Sequence, residues 1–158
     1  MLQRFGNVLQ HYTEVAVMVL MGFLVVVVVT SVFFRYILLS PLTWSEEVGR
    51  YVMIWLGFLA ASIAVRQGLH VGLDFVVQWV PPGVAAWLRG LARAVMAGFL
   101  LVVMVYGFVL VTNLWDQYSP VMNIRMTWPY LAIPMGSLLM LVQLVMPSSS
   151  KTATEAKG

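Results

Sequence analysis

Apolar residues run in long uninterrupted stretches along this chain, and the polar residues gather between them. Val15 to Phe34 carries no charge, and neither do Ala94 to Trp115 or Met126 to Met146. A bilayer core of about 30 Å needs roughly 20 apolar residues in a helix. Each stretch meets that length. The first is dense in valine, which leans to strand in water. In hydrocarbon every backbone amide must be paired within its own segment, so helix is predicted. A fourth run, Tyr51 to Val65, lies between Arg50 and Arg66 and is short. It reaches spanning length if its helix begins near Thr43. Pro41 precedes that point, Thr43 with Glu46 fits a capping box, and Glu46 and Glu47 fall in the first turn, where the helix dipole favours anions.

The pattern therefore predicts an all-α integral membrane protein. It has four transmembrane helices at about 14–35, 43–65, 92–115 and 127–147. The 36–42 connection is a short hairpin with Ser40-Pro41 as its turn signal. In the long 66–91 connection, Leu73, Val76, Val77 and Val80 recur at helical spacing before Pro81-Pro82. They suggest a short interfacial helix between the second and third spans; an irregular packed loop is the alternative. The 116–125 segment is a polar turn. Residues 148–158 form a Ser/Thr/Lys-rich flexible tail. The first span is too long, and lacks the cleavage site, to be a removable leader. The whole chain, 1–158, is one membrane domain.

Composition narrows the function. Of the 158 residues, 61% are hydrophobic and 9% charged, against about 25% charged in a soluble domain, so no soluble catalytic domain fits beside the spans. There is no cysteine, which excludes disulfides and thiolate chemistry. A net charge of +3 spread over the chain makes no basic patch, so nucleic acid is not a partner. His11 and His70 lie outside the spans and cannot face each other as haem ligands. No cofactor and no enzyme activity are expected. Arg4, Arg66, Arg89, Arg93, Lys151 and Lys157 share one side of a four-span topology, and Arg35, Arg50 and Arg125 share the other. Six against three places both termini in the cytoplasm.

Ionisable residues near the membrane are the first functional candidates. Glu46 and Arg50 are four apart on one helix face and can pair. Along that face follow Met53, Gly57 and Ala61. A Gly57-xxx-Ala61 seam lets helix backbones approach closely, either inside this chain's own bundle or against another membrane protein. Glu14 suggests an autonomous small exporter that carries protons on a first-helix glutamate. It precedes the apolar stretch, however, and the central portions of the spans hold nothing that ionises in the physiological range. A structural subunit of some other membrane complex is a further alternative.

Arg35-Tyr36, Pro41-Leu42-Thr43-Trp44-Ser45-Glu46-Glu47, Arg50-Tyr51 and Trp55-Leu56-Gly57 together resemble the signature of the small membrane subunit of TRAP transporters, the DctQ type. Arg66-Gln67-Gly68-Leu69-His70-Val71 with Asp74, and Pro129 to Gly136, extend the resemblance over the four-helix plan. The resemblance implies a tripartite system. A periplasmic substrate-binding protein captures a small organic anion such as a carboxylate. A large multi-helix membrane subunit holds the substrate and sodium sites. The small subunit is a non-catalytic scaffold in the bacterial inner membrane, in contact with lipid. It also implies structural or interface roles for Arg35, Trp44, Glu46, Glu47, Arg50, Trp55, Gly57, Ala61, Gly68 and His70.

Overall fold

The computed structural model describes residues 2–66 and 81–145. Helix α1 is Leu2–Tyr36, α2 is Thr43–Arg66 and α3 is Pro82–Asn113. Two helices in line, α4 (Thr127–Tyr130) and α5 (Ala132–Val145), make the last span. Among the described residues, four segments are long and apolar enough to cross a membrane: Gly6–Tyr36, Thr43–Arg66, Gly83–Asn113 and Thr127–Val145. The chain is a multi-pass all-α membrane protein.

Two helices run further than the apolar stretches alone suggest. Helix α1 begins at Leu2, ahead of the span expected at about 14–35, and Leu2, Gln3 and Arg4 in its first turn are good helix formers. Gln10 donates to Glu14 at 2.6 Å, one turn on, and supports the helix there. Helix α3 begins at Pro82, ahead of the span expected at about 92–115. A proline is favoured in the first turn, where its missing N–H costs nothing. Arg89 and Arg93 therefore lie on α3. The interfacial helix expected before it falls on residues 67–80, outside the described residues, as do Gly68, His70 and the expected tail at 148–158.

The break in the last span has a local cause. Pro134 cannot donate to the carbonyl of Tyr130, and its ring clashes there, so the helix interrupts after Tyr130 and resumes at Ala132. The turn is carried across by Leu131 N–H donating to Thr127 at 2.9 Å and Met135 N–H to Leu131 at 3.1 Å.

Packing arranges the spans in a row. α1 lies on α2, α2 on α5, and α5 on α3. α1 and α3 are the two edges and do not pack closely on each other. The 36–42 and 114–126 connections lie at one end of the row, called the hairpin end below. Leu2, Arg66, Pro82 and Val145 lie at the other. The central seam is tight because it is built on glycine. A Cβ on Gly136 would stand 2.5 Å from Cβ of Phe58, and one on Gly107 would stand 3.0 Å from Ile133. Beside Met140, the buried positions at this seam include the polar or small residues Ser62, Ser137, Ala132, Pro134 and Gln143. The outward faces are apolar, with Val26, Val29, Phe99, Val105 and Tyr106 all exposed. This reverses the distribution of a water-soluble protein and suits hydrocarbon on the outside.

Candidate functional site

The hairpin end collects Arg35, Trp44, Glu46, Glu47 and Arg50, half of the residues singled out in the sequence. Leu39 turns the 36–42 connection with φ of 52°, and Ser40 N–H donates back to Phe34 at 3.1 Å. The turn sets the end of α1 beside the start of α2. Ser45 is buried there. Its hydroxyl donates to the Leu42 carbonyl at 2.7 Å and lies 2.8 Å from the Ser31 hydroxyl on α1.

The two adjacent glutamates do different things. Glu46 is exposed and forms an ion pair with Arg35 at the end of α1. The pairing with Arg50 that the four-residue spacing allows is not the one made. The short hairpin brings Arg35 to Glu46 and the inter-helix pair forms instead. Arg50 is exposed and makes no ion pair among the described residues. Glu47 is buried. Its Oε1 accepts from the Tyr51 hydroxyl at 2.8 Å and its Oε2 from Met122 N–H at 2.9 Å. It thereby ties the 114–126 connection to α2, across 75 positions of chain.

That connection is itself a closed turn. Ser119 N–H donates to Ile124 at 2.9 Å and Met126 N–H to Gln117 at 2.9 Å. Asn123 adopts φ of 54°, a left-handed conformation asparagine tolerates. Ser119 is buried, and its hydroxyl accepts from Met122 N–H at 3.3 Å, so this one N–H is shared with Glu47. Arg125 stands over the Trp115 ring at 5.1 Å and the Tyr118 ring at 6.0 Å, a cation–π arrangement on an exposed rim.

Between α1 and α2 a groove of about 680 Å³ opens on the surface. Leu24, Val28, Val32, Met53 and Ile54 make its walls, and Arg35, Glu46 and Arg50 stand at one end. Lower on α2, Gly57 is exposed, and among the described residues nothing lies within 4 Å of the place its Cβ would occupy. Ala61 is half-buried. Among the described residues, the glycine contact of α2 with its own fold is made by Phe58 on Gly136. Trp44 is exposed in the first turn of α2 and Trp55 is half-buried.

At the opposite end Arg66 is 2% exposed and donates to Asn7 on α1 at 2.6 Å. Glu14 accepts from Gln10 on its own helix, remote from the groove. Among the described residues no group of three or more His, Cys, Asp or Glu side chains could hold a metal.

Sequence reasoning missed Tyr51, Ser119 and the Met122 amide as partners of Glu47. The Glu47–Tyr51 half was available as a four-residue spacing. The other half depends on a distant turn and left no local signal. The Arg66–Asn7 bond was likewise unreadable before α1 was seen to begin at Leu2.

Comparison with known proteins adds the following. A family profile described as "Tripartite ATP-independent periplasmic transporters, DctQ component" matches residues 24–150. The chain is 24% identical over 136 residues to a putative TRAP transporter small permease protein of Haemophilus influenzae, covering 86% of this chain and 79% of that one. It is 32% identical over 101 residues to the C4-dicarboxylate TRAP transporter small permease protein DctQ of Rhodobacter capsulatus, covering 63% of this chain and 44% of the relative. It is 22% identical over 119 residues to the sialic acid TRAP transporter permease protein SiaT of Haemophilus influenzae, covering 75% of this chain but 19% of that longer protein.

Proposed function

The chain belongs to the DctQ component family of the tripartite ATP-independent periplasmic transporters, and on that premise we propose that it is the non-catalytic scaffold subunit of a sodium-coupled transporter importing small organic anions, carboxylates in particular. Its partners are a large multi-helix membrane subunit, which carries the substrate and sodium sites, and a periplasmic substrate-binding protein. It lies in the inner membrane with both termini cytoplasmic, as the distribution of Lys and Arg favours.

One observation carries this reading. The described spans form a layer one helix thick. A layer has no interior between its helices in which a solute path could be enclosed, but it offers two broad apolar faces. Intramembrane transport sites also need ionisable groups facing a cavity at mid-depth. The carboxylates and basic groups of the described spans stand towards the ends: Arg35, Glu46, Glu47 and Arg50 towards one, Glu14, Arg66, Arg89 and Arg93 towards the other.

Within the layer, Arg35–Glu46 and the Glu47 clamp fix the hairpin end, and Trp44 anchors it at the interface. The open Gly57 and Ala61 face of α2 receives a helix of the large subunit. The 36–42 and 114–126 connections lie on the side where the binding protein docks.

Proteoliposomes test the proposal. The large subunit with its binding protein should accumulate substrate only when this chain is present, and a Gly57→Leu variant should lose co-purification with the large subunit while substrate preference stays unchanged. Gradient-driven accumulation by this chain alone, or a change of substrate preference on Glu47→Ala, would overturn it. Reporter fusions at either terminus that read as periplasmic would overturn the orientation.

A further inference from the structure

The groove between α1 and α2 is polar at one end only. Its apolar walls run from Leu24 and Ile54 up to a rim that holds Arg35, Glu46 and Arg50. Along α1 it extends from Leu24 to Arg35, about 16 Å at 1.5 Å per residue. That is half of a hydrocarbon core of about 30 Å, the depth of a single leaflet. A partner helix crossing the membrane would need a seat through the full thickness.

The rim is electrically unbalanced. Arg35 is committed to Glu46. Arg50, one turn below Glu46, lines the groove and has no carboxylate within reach among the described residues. A guanidinium offers five N–H donors in a planar fork that matches a phosphate oxygen pair. Gly49 in the lining leaves the space open: among the described residues, a Cβ there would meet only the Leu24 Cδ1 atom, at 3.8 Å.

We propose that this groove is a phospholipid site: one anionic lipid of the leaflet at the hairpin end lays an acyl chain along Leu24, Val28 and Met53 and sets its phosphate on Arg50. The lipid completes the α1–α2 seam that the chain itself leaves open. The site depends on the membrane placement of the spans and stands whether or not the Gly57 face docks the large subunit.

The test uses the full chain, reconstituted in nanodiscs of phosphatidylcholine doped with phosphatidylglycerol and then released gently for native mass spectrometry. The wild-type chain should retain one phosphatidylglycerol. Arg50→Gln should lower that occupancy roughly tenfold, the equivalent of about 1.4 kcal/mol. Val28→Trp, which fills the groove with Arg50 intact, should lower it as much. Arg50→Lys should fall between. Photoactivatable phosphatidylglycerol should label Met53 in the unmutated chain, so the site is read even if a variant fails to fold. Wild-type retention in both Arg50→Gln and Val28→Trp would overturn the proposal. So would equal retention of diacylglycerol, which lacks the phosphate, or displacement of the lipid by soluble inorganic phosphate. Crosslinking of Met53 to the large subunit in place of lipid would assign the groove to a protein helix and overturn it too. Co-purification with the large subunit is scored separately, so loss of the lipid and loss of the scaffold role are read apart.

Discussion

The two seams of α2 differ in what closes them. Towards α5 the contact is finished by the chain's own atoms: Gly136 lets Phe58 sit against the backbone, and Ser62 and Ser137 turn their hydroxyls into their own helices at 2.7 Å. Towards α1 the contact is held at the hairpin end by an ion pair and a serine pair, and below them it opens into a groove. In a membrane there is no hydrophobic drive between apolar helices, so close association depends on small residues and on hydrogen bonds. The α5 seam has the small residues at the point of contact. The α1 seam has valine and leucine there, and association rests on its polar end.

Substitutions can break or sharpen this contrast. The largest effect is expected at Gly136. Gly136→Leu drives a side chain into Phe58 where even a Cβ has no room, and should destabilise the chain by about 3 kcal/mol, measured as thermal unfolding in detergent. If it is neutral, the central seam is not the tight one. Glu47→Ala comes next. It removes the acceptor of both Tyr51 and the Met122 amide and should lower Tm by several degrees, with faster proteolysis in the 114–126 turn. Tyr51→Phe on top of it should add little, because the two share one interaction. Arg35→Ala should cost less than about 1 kcal/mol in the isolated chain, since the pair is solvent-exposed; a larger loss would mean that the α1 seam depends on that pair more than its exposure suggests. Gly57→Ala should leave the isolated chain's stability unchanged within error, as no described residue lies against the position, and should show an effect only when co-purification with the large subunit is measured.

The span count was legible because bilayer thickness sets a length that apolar runs either reach or miss. Their neighbours were not. A helix that is apolar all round carries no stripe to say which side faces protein, so the row order of α1, α2, α5 and α3 left no trace in periodicity. Helix starts at Leu2 and Pro82 escaped because the search for apolar length stops where polarity begins, while helix formation does not. The Glu46–Arg50 expectation failed by the same locality: spacing along one helix shows which pairs are possible, and a hairpin decides which is made. Glu47 was singled out as a candidate, yet what distinguishes it from Glu46 is a backbone amide of Met122, which no side-chain pattern encodes. Gly57 and Gly136 look alike in the sequence, both glycines within apolar helices. Gly136 is filled to contact, and Gly57 meets nothing among the described residues.

A sheet of rods one rod deep also changes how mutational data on such a chain should be read. In a globular domain, tolerance to substitution tracks distance from the centre. Here Val26, Val29 and Phe99 are exposed, and a melting-curve scan of the purified chain would score them as dispensable. A growth selection in cells weighs the same positions inside their assembly. The discrepancy between the two maps, residue by residue, would trace the outline of whatever lies against each flank.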